Sequence, residues 1–137
     1  TTQYFINLLN NSSLQRCVRF YASHADGTNT TFVFNAQAAG VTITPGTWYY
    51  IGAIYTDSGN GTGTLEVIVR DMSTGTMVSG TTSSKAIKGL TSSPTTTFTV
   101  GSEYTTSSGR CFNGKVDEVR ISNIAVPADK RLYSISH

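Results

Sequence analysis

Few residues in this chain have the type and spacing to do chemistry. Asp117 and Glu118 are its one adjacent pair of carboxylates. Glycoside hydrolysis needs two carboxylates flanking one bond, whereas neighbours on a strand project to opposite faces. The pair is therefore expected to be structural, engaging Arg120 or loop amides. Acyl transfer by a Ser–His–Asp set is no better served. The chain has two histidines, His24 and the terminal His137, and no Gly-x-Ser-x-Gly elbow. The expectation is a protein that binds and is not an enzyme.

Cys17 and Cys111 are too far apart for a Cys-x-x-Cys redox motif or a local zinc site. They form either one disulfide or two buried thiols. The disulfide is the favoured reading, because the composition suits an oxidising, extracellular setting. Closing so long a loop contributes about 4 kcal/mol in the chain-entropy model. Calcium is a lesser option. Asp26, Asp57 and Asn60 offer oxygens in polar stretches, but Asp26-Gly27 and Asn60-Gly61 read first as turns, and no EF-hand pattern exists. No resident metal or cofactor is expected.

Sugar recognition needs an aromatic face for C–H groups with planar hydrogen-bonding groups beside it. Candidate residues fall in three polar stretches. Glu103, Tyr104 and Arg110 lie in one, Asp57 and Asn60 in a second, His24 and Asp26 in a third. Sequons at Asn10, Asn11, Asn29 and Asn60 would accept glycans in a glycosylating host.

The elements that must position these residues are strands. Charged residues make up only 13% of 137, about half the usual quarter. Thr, Ser, Gly and Asn take their place, a mix that favours strands and turns. Net charge is +2 with no basic cluster, so nucleic-acid binding is not expected. The longest apolar stretch, around Trp48 to Tyr55, is too short to span a bilayer. The length suits one domain over 1–137. The sequence opens at Thr1 with no signal peptide, so a processed protein or a piece of a larger one is expected.

Alternation and apolar density place strands at Tyr4–Leu9, which is apolar on both faces, and at Leu14–Ser23, Thr31–Asn35, Val41–Ile43, Thr47–Thr56, Leu65–Asp71, Phe98–Gly101 and Cys111–Ser122. Another starts at Met77-Val78. Asp26-Gly27, Pro45-Gly46, Asn60-Gly61 and Ser73–Gly75 mark turns. A short apolar element falls at Ile87–Leu90, and only Ala128–Ser136 suits a helix. Many short strands without helical crossovers read as an antiparallel β-sandwich or barrel.

Several of these segments carry a family resemblance. Pro45-Gly46-Thr47-Trp48 and the run to Tyr55 resemble the central strand of the laminin-G-like, concanavalin-A-like jelly rolls. Leu65 to Val69 resembles the strand that follows. Phe112-Asn113-Gly114-Lys115-Val116-Asp117-Glu118-Val119-Arg120-Ile121 resembles the closing strand, F-x-G-x-[IV]-D-E-[VI]-R-[IV], nearly residue for residue. Ile124 to Leu132 resembles the turn that leads into a small helix. The likeness runs from about Gln3 onward. It implies an all-β jelly roll with Trp48 as a packing residue, Val119 and Ile121 in the shared interior, and loops gathered at one rim. Catalytic relatives carry E-x-D-x-x-E on one strand, or a spaced His, Tyr, Arg and Gln set, and neither pattern is present. Family members usually begin with two further strands, which are missing here. Unfilled, their places would expose sheet edges, and a neighbouring subunit could supply them by β-augmentation.

The resemblance implies a non-catalytic carbohydrate-binding or adhesion module of a secreted, cell-surface or phage-tail protein. Its partner would be a glycan or cell-surface polysaccharide. The alternative is a structural subunit of an extracellular or viral fibre, filament or capsid, self-associating through sheet edges. Both place the chain outside the cell or on a cell or virion surface, without membrane insertion.

Overall fold

The computed structural model describes residues 4–9, 17–23, 28–82, 85–86, 100–101, 112–127 and 130–131. The strands in these residues are arranged in two antiparallel sheets, and Lys130 lies in a 3-10 turn.

The first sheet has the order β1 (Tyr4–Leu9), β2 (Cys17–Ser23), β3 (Asn29–Asn35). Its register sets Ile6 opposite Phe20 and Leu8 opposite Val18, with Phe32 and Phe34 beyond them. Because side chains alternate along a strand, these six share one face. The other face is clamped by planar groups. Phe5 stacks on Tyr21 with ring centroids 4.7 Å apart, and the Arg19 guanidinium lies 5.0 Å above Phe5. Arg19 Nε also donates to Asn7 Oδ1 at 3.0 Å. Such cross-strand contacts contribute roughly 0.2–1 kcal/mol each.

The second sheet is built around β5 (Thr62–Asp71). β4 (Tyr49–Asp57) pairs with one side of it, and β6 (Met77–Thr81) and β7 (Lys85–Ala86) pair with the other. Glu66 faces Thr81 and Gly63 faces Lys85 across the ladder. The Thr82 amide donates to the Leu65 carbonyl there, and the Thr82 hydroxyl accepts from the Leu65 amide.

One apolar cluster joins the sheets. Val18, Phe20 and Phe34 come from the first, Leu65, Val67 and Val69 from the second, and Ala36 and Val41 from the connection between them. Fully burying each large side chain contributes roughly 1.5–3 kcal/mol before entropy is counted. The sheets approach closely at Gly80 of β6, where a Cβ would stand 2.6 Å from the Phe34 ring. The connection from β3 to β4 is tight. The Val41 amide donates to the Ala36 carbonyl, and the Tyr49 hydroxyl donates to the Thr42 carbonyl while accepting from the Thr44 amide. The end of β3 and the start of β4 therefore lie together. Gly46 supplies the left-handed residue of the Pro45-Gly46 turn, at φ 83°.

At the β1 margin, core-facing side chains stay exposed among the described residues. Ile6 and Leu8 of edge strand β1 lie on the core-facing side, yet they are 48% and 37% exposed.

Three expectations need correction. Val41 to Ile43 forms no strand, although Val41 is buried and serves the core from a loop. Residues 100–101 are bends. Residues 112–122, which carry the closest family resemblance, also form no strand, and Val119 and Ile121 are 55% and 58% exposed instead of interior. The local cause lies at Asp117. Its Oδ1 accepts the Glu118 amide at 2.9 Å, and Glu118 takes a left-handed φ of 52°. A side chain that captures a backbone amide competes with a sheet ladder for it. The segments Ile87–Leu90 and Phe98–Thr99, and all of Ala128–Ser136 but 130–131, lie outside the described residues.

Candidate functional site

Of the residues expected to bind a glycan, His24, Asp26, Glu103, Tyr104 and Arg110 lie outside the described residues. Asp57 and Asn60 are described, in the hairpin between β4 and β5. Their oxygens are engaged locally. Asp57 Oδ1 accepts the Gly59 amide at 2.8 Å. Asn60 Oδ1 accepts both the Thr62 amide at 3.1 Å and the Thr62 hydroxyl at 2.6 Å. Gly59 and Gly61 hold φ near 75°, as such a loop requires. This hairpin is a turn first. Burial, with the Asp57 carboxylate beside it, pushes the neighbouring Tyr55 phenol up. Among the described residues no group of three or more His, Cys, Asp or Glu side chains could hold a metal ion.

Cys17 corrects a further expectation. It is in no disulfide. The side chain is fully enclosed at the start of β2, where it acts as a small apolar residue, and burial raises its pKa. Cys111 lies outside the described residues. Asp117 and Glu118 are exposed in the irregular segment, where Asp117 Oδ1 accepts the Glu118 amide.

Trp48 is another correction, and it reveals a different constellation. The residue expected in the core is 52% exposed. Pairing with β5 explains why. Leu65, Val67 and Val69 face the core, so their partners Tyr55, Ala53 and Ile51 must face it too. Alternation then sends Tyr50, Gly52 and Ile54 to the outer face. Trp48, one step before the strand, continues that outward series.

Across this outer face, Tyr50 sits opposite Arg70 and Arg70 opposite Met77. The Met72 amide donates to the Trp48 carbonyl at 3.0 Å, which brings Met72 beside Trp48. Trp48, Met72 and Met77 are each about half exposed around half-buried Tyr50 and Arg70. The Tyr50 side chain folds along the strand over Gly52. A Cβ at that glycine would meet the Tyr50 hydroxyl oxygen at 2.9 Å and its ring carbons from 3.1 Å. Gly52 is thus the space in which the ring lies down. The Arg70 guanidinium runs under the β5–β6 turn, 3.7 Å from where a Gly75 Cβ would stand.

That turn is firmly built. Asp71 Oδ1 accepts the Ser73 hydroxyl at 2.6 Å, the Ser73 amide at 2.8 Å and the Thr74 amide at 3.2 Å. The Ser73 hydroxyl first, then the two amides, hold the Asp71 carboxyl below its ordinary pKa. Further along the face, Ile68 is buried and Glu66 pairs with Arg131 at 3.8 Å. The open part of the face is therefore a ledge at the Trp48 end.

This ledge gathers two aromatic side chains, an arginine and two methionines. Trp, Tyr and Arg dominate binding energy at interfaces, and Met adapts its shape to a ligand. The alternation Trp48-x-Tyr50 against Tyr49-x-Ile51 was the available signal for it. Comparisons with protein-family models, with curated proteins and with solved structures return no match.

Proposed function

We propose that this chain is a non-catalytic recognition module of the concanavalin-A-like jelly-roll class, acting outside the cell, and that it binds a glycan on the Trp48 ledge. Two antiparallel sheets sharing one core support the class. The observation that carries the binding reading is the Tyr50 ring laid over Gly52 beside half-exposed Trp48. Flat aromatic rings present a C–H-binding surface, and the neighbouring Arg70 supplies planar donors. A glycan array followed by calorimetric titration tests it. Trp48→Ala and Tyr50→Ala should each weaken binding about tenfold, equivalent to ~1.4 kcal/mol. Asp57→Ala should leave it unchanged. Glycan binding that survives both aromatic changes would place the site elsewhere.

A second reading, a structural subunit of an extracellular or viral assembly, is favoured by a separate observation. The segment 112–124 and the inner side of β1 together expose seven large apolar side chains: Ile6, Leu8, Phe112, Val116, Val119, Ile121 and Ile124. Where such side chains form one contiguous patch, they mark a contact site.

A further inference from the structure

We propose that Met72 and Met77 form an oxidation site, at which a hydroperoxide converts both thioethers to sulfoxides in the folded chain and so turns the Trp48 ledge from an apolar surface into a polar one. The effect on binding rests on the glycan reading; the oxidation itself does not.

The chain has two methionines in 137 residues. Folding brings both to one place. Met72 stands opposite Trp48, one step beyond the paired residues Tyr49 and Asp71, and its amide donates to the Trp48 carbonyl at 3.0 Å. Met77 stands opposite Arg70, which stands opposite Tyr50. Methionine ranks among the residues most often fully buried, yet both are about half exposed. The core cluster contains no methionine, so oxidation reaches the ledge and spares the packing of the sheets. The other sulfur among the described residues, Cys17, is fully enclosed, and burial keeps its thiol protonated.

The step needs only the peroxide. A sulfur lone pair attacks one peroxide oxygen, an S–O bond forms and the O–O bond breaks. The proton of the new S–OH passes to the departing hydroxide, which leaves as water. Sulfur loses two electrons and the peroxide gains them. The product replaces a flexible apolar side chain with a polar, chiral one. Its oxygen is an acceptor that holds water beside Trp48, on the surface that must be dry to receive sugar C–H groups. Leucine would give the same ledge an apolar surface inert to peroxide.

Hydrogen peroxide applied to the folded full chain in a Cys111→Ser background, followed by peptide mass mapping, tests the site. Met72 and Met77 should each gain one oxygen atom, at rates within about tenfold of those in the urea-unfolded chain. Greater protection of either residue overturns the site. Circular dichroism and melting temperature should hold, and a chain that unfolds on oxidation overturns a change confined to the ledge. Trp48 emission should move to the red on oxidation. The two methionine sulfoxide reductases, one for each epimer, should together reverse it. In M72L/M77L, peroxide should leave the emission where it began. An unchanged Trp48 after full oxidation overturns the inference, with or without a ligand. For a glycan that binds the untreated protein, affinity should fall about tenfold on oxidation and return on reduction. An affinity that ignores oxidation overturns the inference and leaves the glycan reading standing. A protein that binds no glycan sinks that reading, while the Trp48 response still decides this one.

Discussion

Gly80→Ala tests the packing of the two sheets at its tightest point. A methyl at position 80 would stand 2.6 and 2.8 Å from two carbons of the Phe34 ring and 3.3 Å from Phe32. Phe34 is a buried member of the core, so its ring has little room to retreat. Overpacking of this kind costs about 1–3 kcal/mol. Replacing glycine in a strand returns up to ~1 kcal/mol through lost flexibility in the unfolded chain. The net expectation is a destabilisation of about 1–2 kcal/mol, or roughly 4–8 °C in melting temperature for a chain of this size. Urea unfolding followed by far-ultraviolet circular dichroism measures it. Adding Phe34→Leu should relieve part of the loss, with a coupling of at least about 0.5 kcal/mol in the double-mutant cycle. A neutral Gly80→Ala, or effects that simply add, would refute the face-to-face contact of β6 with β3.

Other perturbations follow from the same geometry. Gly52→Ala should lift the Tyr50 ring off the sheet, weakening glycan binding while the melting temperature shifts by less than with Gly80→Ala; calorimetry and a thermal melt read the two separately. In a Cys111→Ser background the Cys17 thiol should label slowly in the native chain and rapidly in urea, because burial both raises its pKa and blocks access. Asp71 has its pKa lowered in the folded state, so its stabilising contribution is present above the ordinary value of 3.8 and is lost as pH falls through the lower folded value. Asp71→Asn should therefore flatten the acid limb of a stability-versus-pH curve, and an unchanged limb would remove the turn from the account.

Much of the fold was legible where apolar residues ran densely, or in clear alternation, between turn signals. β1 was read at its true bounds, and the alternation of Val18 and Phe20 against Cys17, Arg19 and Tyr21 fixed the sidedness of β2. Turn chemistry located Pro45-Gly46, Asn60-Gly61 and Ser73–Gly75, each with a glycine at positive φ. Legibility failed where alternation was ambiguous or a local bond overrode it. β4 is apolar on both faces, so only its pairing with Leu65, Val67 and Val69 decides that Tyr49 turns inward and Trp48 outward. The 116–121 pattern is that of a strand, yet one Asp117 hydrogen bond and one left-handed residue keep it out of a ladder. At Asp57 and Asn60 the sequence signals a turn but not its bonds, in which Asp57 Oδ1 takes the Gly59 amide and Asn60 Oδ1 the Thr62 amide.

The ledge proposed to bind a glycan contains the only tryptophan in the chain, so its own fluorescence reports on that proposal. Trp48 emission should be red-shifted and quenched by acrylamide in the unliganded protein. A bound oligosaccharide should shift the emission to the blue and shield it, with a midpoint equal to the calorimetric Kd. A glycan that binds by calorimetry without altering Trp48 emission or quenching would contradict the account.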